Sequence, residues 1–109
     1  IRAIRNRRNR VPVFFYPNYE EEEIRRYYAE PWFNPLSYSH SCASPWLQCY
    51  VFPDGTVRAC ESMNLSFGNI RRETFNEIWN NESYVRFRRD LKVRGEYPAC
   101  NKCTEYYRF

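Results

Sequence analysis

The chain has 109 residues, 43% hydrophobic and 19% aromatic, which is material for one small core and not for two. No apolar run is long enough for a membrane-spanning helix, and the opening residues carry no signal-peptide pattern. The formal charge of +4 is local: ten of the 17 basic residues fall within 2–10 and 86–94, which reads as a solvated tail and the wet face of a helix.

Taken in order, residues 1–10 (IRAIRNRRNR) have no core-forming pattern. With the start on Ile1, they are expected to belong to a piece of a longer protein. Residues 11–16 (VPVFFY) predict a short strand stopped by Pro17. Residues 20–28 (EEEEIRRYY) predict a helix, with Glu21 and Glu22 each four positions before Arg25 and Arg26. Residues 30–44, carrying Pro31 and Pro35, read as a loop.

Residues 50–60 (YVFPDGTVRAC) predict a β-hairpin. Pro53-Asp54-Gly55 suits a type I turn with glycine in the left-handed position, followed by a bulge. Phe52 then faces Thr56, and the pairs run 51:57, 50:58, 49:59 and 48:60. In that register Leu47, Cys49, Val51, Val57 and Ala59 share one apolar face. Gln48, Tyr50, Phe52, Thr56, Arg58 and Cys60 share the other. A slip of one residue would exchange the faces and make Cys49 a cross-strand neighbour of Cys60. The sorted pattern favours the first register, with Cys49 a buried, inert thiol and Cys60 projecting from the opposite face.

Residues 66–70 (SFGNI) read as a turn. Thr74-x-x-Glu77 has the form of a capping box, opening a helix with Phe75, Ile78 and Trp79 on one face. A second helix from about Ser83 sets Tyr84, Phe87 and Leu91 at helical spacing and ends at Gly95. Pro98 breaks the chain before Cys100-Asn101-Lys102-Cys103. The whole predicts a small single α+β domain, a two-stranded hairpin followed by short helices around a cysteine-ligated metal site.

Five cysteines are an odd number for a disulfide scaffold, and in a cytoplasmic setting such a set points to metal binding or catalysis. A Cys-x-x-Cys pair alone serves zinc knuckles, redox dithiols and iron–sulfur sites. The βαβ unit of a redox dithiol is missing. The upstream partners Cys42 and Cys60 are separated by 17 residues, a spacing that suits a cubane held at four corners, with tetrahedral zinc left open as the alternative. His40, the only histidine, reads as a surface residue rather than a ligand. With one histidine and no nucleophile–base set, cysteine-dependent catalysis has little support.

Several short motifs then occur in one order: Cys42-Ala43-Ser44-Pro45-Trp46, Pro53-Asp54-Gly55 with Cys60 five residues after the glycine, Phe67-Gly68-Asn69-Ile70, Phe75-x-Glu77-Ile78-Trp79-Asn80, and Pro98-x-Cys100-x-x-Cys103. Together they resemble the SPASM/twitch region of radical SAM enzymes. The resemblance implies one auxiliary [4Fe-4S] cluster held by Cys42, Cys60, Cys100 and Cys103, with zinc as a substitute for iron. It implies a division into residues 1–41, the end of a radical SAM barrel and its connection, and residues 42–109, the iron–sulfur domain. The barrel of the parent protein would be the partner, and a peptide or small molecule the substrate. The auxiliary cluster would position substrate, carry electrons or support structure. Only six residues follow Cys103, which fits a single-cluster, twitch-type unit. The Cys-x-x-x-Cys-x-x-Cys motif that holds the S-adenosylmethionine-cleaving cluster is absent from this sequence, so radical generation is expected elsewhere. The rival reading is a structural zinc module that contacts nucleic acid or protein through Arg86, Arg88, Arg89, Lys92 and Arg94. Glu77, Glu82, Asp90 and Glu96 dilute that stripe and argue against nucleic acid.

Overall fold

The computed structural model describes residues 11–33 and 42–103. Residues 11–16 form no strand, and Val11, Val13 and Phe14 are exposed. A strand needs a neighbour for its backbone groups, and the sheet of this protein recruits other segments instead.

Helix α1 spans Glu21–Ala29. The Glu23 carboxylate accepts from the Glu20 N–H at 3.0 Å, and three glutamates in the first turn complement the helix dipole. Arg25 pairs with Glu21 at 3.1 Å, as the spacing predicts. Arg26 does not choose Glu22; it turns to Glu30 with two donors, at 2.7 and 3.2 Å. That fork-on-carboxylate bond holds the Glu30 carboxyl below its ordinary range. Beside α1, Phe33 is almost fully buried, with Tyr19 and Tyr27 edge-on to its ring at 6.2 and 6.1 Å.

After the one-turn helix α2 (Ser44–Leu47), strands β1 (Tyr50–Val51), β2 (Thr56–Arg58) and β3 (Ser66–Asn69) make an antiparallel sheet in the order β1-β2-β3. The hairpin has the predicted register, with Tyr50 opposite Arg58 and Val51 opposite Val57. The Phe52 N–H reaches Thr56 O at 2.9 Å, and Gly55 takes φ +89°. Asp54 closes the turn by accepting from the Thr56 N–H at 2.9 Å and from its hydroxyl at 2.8 Å. The apolar face is only half realised. Val57 and Ala59 join the core and Cys49, half-buried rather than buried, packs against it, but Val51 lies on the uncovered edge strand and Leu47 belongs to α2, where strand alternation does not apply.

Residues 66–69, read from sequence as a turn, are instead a third strand. Only Phe67 in it is buried, and Gly68 weakens the local strand signal. The strand exists because β2 supplies its partner, through a register shift between Val57 and Arg58. Its end also seals the hairpin turn. Asn69 donates to Asp54 O at 3.0 Å and Arg71 donates to Pro53 O at 2.8 Å.

Helix α3 (Phe75–Asn80) begins at the predicted capping box: the Glu77 N–H donates to the Thr74 hydroxyl at 3.3 Å, and the Thr74 N–H donates to the Glu77 carboxylate at 2.8 Å. Helix α4 (Glu82–Arg94) starts at Asn81 and stops at Gly95, φ +84°. The Asn81 side chain accepts from the Tyr84 N–H at 2.9 Å and donates to Phe67 O at 2.6 Å, tying α4 to β3. Val57, Ala59, Phe67, Ile78, Tyr84, Phe87 and Leu91 form the core between sheet and helices. The expected basic stripe on α4 is broken. Arg88 is buried over the Trp79 and Tyr84 rings and donates to Trp79 O, and Arg86 pairs with Glu82. Among the described residues no helix is long and apolar enough to cross a membrane.

Candidate metal centre

Three stretches of the chain meet around one concavity. Cys42 stands just before α2, and Cys60 follows β2 by two residues, on the face opposite Ala59. A single 3-10 turn, Pro98–Cys100, presents Cys100, and a tight reversal brings Cys103 beside it, with the Cys103 N–H on Cys100 O at 3.1 Å. All four line one concavity, partly open to solvent, together with Tyr50, Met63, Phe87 and Leu91. Each of the four is half-buried, and none of the chain's cysteines is in a disulfide.

The electrostatics agree with this grouping. Burial raises the Cys42 thiol above its ordinary pKa, and the charges of Cys103, Cys100 and Cys60 raise it further. Burial also raises Cys100, with Cys103 and Cys60 adding to it. Backbone donors oppose these effects: Ser44 lowers Cys42, and the Tyr97 N–H, 3.4 Å from Cys100 Sγ, lowers Cys100. N–H groups aimed at sulfur favour the thiolate and help set the potential of whatever the thiolates bind. The Cys49 thiol is raised by burial alone and packs against the hydrophobic core. The fold therefore gathers Cys42, Cys60, Cys100 and Cys103 and leaves Cys49 apart. His40 lies outside the described residues.

This donor set fits an iron–sulfur cluster: four soft sulfur ligands, an apolar wall and backbone donors to sulfur. Among the described residues no group of three or more His, Cys, Asp or Glu side chains is drawn together as around a single ion.

Sequence reasoning missed what seats the Cys-x-x-Cys turn. Asn101 accepts from the Phe33 N–H at 2.9 Å and donates to Pro31 O at 3.0 Å. Tyr27 OH lies 3.5 Å from Lys102 O, and the Lys102 ammonium sits 5.4 Å from the centre of the Tyr27 ring. An asparagine inside a Cys-x-x-Cys pair is a visible signal, but nothing local names partners about 70 residues upstream.

The sequence pattern of the SPASM family, an iron–sulfur cluster-binding domain, matches residues 42–104, more than half of the chain. No curated protein and no solved structure matches.

Proposed function

Because this chain belongs to the SPASM family of iron–sulfur cluster-binding domains, we propose that Cys42, Cys60, Cys100 and Cys103 hold a single [4Fe-4S] cluster auxiliary to a radical SAM enzyme. The observation that carries the ligand set is the gathering of these four thiols around one concavity, with Cys49 turned into the core. Bound there, the cluster would supply a one-electron centre. The protein's own part is to desolvate the thiolates with Phe87 and Leu91, to aim backbone N–H groups at Cys42 and Cys100, and to keep the ligands of separate segments in register.

In this reading residues 42–109 are the iron–sulfur domain, and residues 1–41 lead out of the barrel of the parent enzyme. That barrel would bind S-adenosylmethionine and generate the radical, while the domain described here positions the substrate, a peptide or small molecule, or relays an electron. The reducing cytoplasm is the compartment that suits five free cysteines and iron. The basic-helix alternative loses Arg88 to the core and has Arg86 paired with Glu82, while Arg89, Lys92 and Arg94 stay exposed.

The test is the iron and acid-labile sulfide content after anaerobic reconstitution, on the unmodified chain and Cys49→Ala in parallel. About four irons and four sulfides per chain are expected in both. About one zinc without sulfide would turn the assignment to a structural zinc site. Loss of iron in Cys49→Ala alone would place Cys49 among the ligands.

A further inference from the structure

The Cys100–Cys103 reversal has an unusual backbone. Asn101 lies at φ −57°, ψ 127° and Lys102 at φ +57°, with the Cys103 N–H on Cys100 O at 3.1 Å. This is a type II turn, whose third position calls for glycine or asparagine. Lysine occupies it here, and it is the one non-glycine residue with positive φ among the described residues. A side chain in that region costs conformational energy, so the turn persists only where its surroundings hold it.

Those surroundings come from upstream of the family match. The Asn101 amide is held from both ends, by the Phe33 N–H and by Pro31 O. Phe33 is itself anchored, 1% exposed, against Tyr19 and Tyr27, with the Arg26 guanidinium 5.3 Å from its ring centre. Tyr27 covers Lys102. No residue from 96 to 103 is fully buried, and Tyr97, stacked on Phe87 at 5.5 Å, is the stretch's hydrophobic contact with the core, three residues before Cys100.

We propose that Asn101 is a positioning residue of the metal centre, clamping the strained Cys100–Cys103 turn onto the segment 27–33. The proposal rests on the cluster assignment above and adds to it. Two of the four ligands are held by a segment outside the iron–sulfur domain proper, so any displacement of that segment loosens one side of the cluster.

The experiment compares the reconstituted chain with Asn101→Ala, Asn101→Asp, Lys102→Gly and the Asn101→Ala/Lys102→Gly double variant. The readouts are the rate of iron capture by a ferrous chelator and the reduction potential. Asn101→Ala is expected to release iron about tenfold faster, the size of effect typical of residues that orient metal ligands. Asn101→Asp keeps the acceptor for the Phe33 N–H and loses the donor to Pro31 O, so it falls between. The decisive comparison is the double variant. Glycine relaxes the turn, so release returns to within about twofold of the unmodified chain if Asn101 acts by holding strain. Unmodified release in Asn101→Ala overturns the proposal, and so does failure of Lys102→Gly to rescue it. A parent chain that takes up no iron sinks the cluster assignment instead. The clamp is then judged on the metal-free chain, where Asn101→Ala must speed hydrogen exchange of the Phe33 amide, and unchanged exchange overturns it.

Discussion

Cys60 and Cys100 face the same concavity but reach it by unlike routes. Cys60 follows β2 by two residues, and Val57 and Ala59 just before it lie in the core with Ile78 and Leu91. Its position follows from hairpin register and hydrophobic burial. Cys100 sits in a stretch with no fully buried residue, where Tyr97 stacks on Phe87 at the edge of the core and the amide of Asn101 holds the turn to Pro31 and Phe33. One wall of the cavity is thus set by core packing, which is close to all-or-none, and the other by one ring contact and a few polar contacts that open singly. Damage to the first should unfold the domain. Damage to the second should loosen the site and spare the fold.

The largest effect that separates the two walls is expected from Ile78→Ala. Ile78 is fully buried between β3 and α4, and the cavity left behind should cost about 2–5 kcal/mol, read as a lower urea midpoint at unchanged slope. Asn101→Ala should leave that midpoint nearly in place while iron release quickens. If both variants lower the midpoint alike, the two walls are one cooperative unit and the contrast is wrong.

Tyr84 sharpens the packed side in the opposite direction. Its ring stacks on Phe67 with centroids 4.3 Å apart, but its hydroxyl is buried with no hydrogen-bond partner among the described residues. Removing that hydroxyl in Tyr84→Phe should stabilise the domain by about 1–2 kcal/mol. Burial pushes the Tyr84 phenol up to about 12 from an ordinary 10.0. The folded state therefore keeps a proton that the unfolded state releases, so stability is whole below pH 10.0 and declines between there and about 12. Denaturant melts at alkaline pH should show a shallower decline in Tyr84→Phe. An equal decline would mean that another group governs it.

The smallest effect is at the α3 cap. Thr74→Ala should cost about 1 kcal/mol. The Thr74 hydroxyl and N–H hold the Glu77 carboxyl below its ordinary pKa, so the cap's contribution is present above the unfolded value and lost as pH falls through the folded one. Thr74→Ala should accordingly flatten the acid limb of the stability curve. A limb of unchanged slope would remove Glu77 from it.

Much of the packed wall was legible in the residues. Pro53-Asp54-Gly55 dictates its turn, the Thr74–Glu77 pair dictates a helix start, and Gly95 dictates a stop, because each signal acts within a few positions of the backbone. The hairpin register followed from which alternation sorts apolar from polar side chains. The failures lay where the deciding partner is distant. Residues 66–69 became a strand because β2 was there to pair with them, and residues 11–16 did not, with no strand alongside them among the described residues.

By itself, then, the sequence determined the caps, the turns, the hairpin register and the family, all of which depend on neighbours along the chain or on fixed spacings of cysteine and glycine. Only the tertiary structure decided that Arg88 leaves the basic face, and that Asn101 grips Pro31 and Phe33. Those contacts join residues tens of positions apart. Their energy appears only once the core has closed and brought the segments within hydrogen-bonding range.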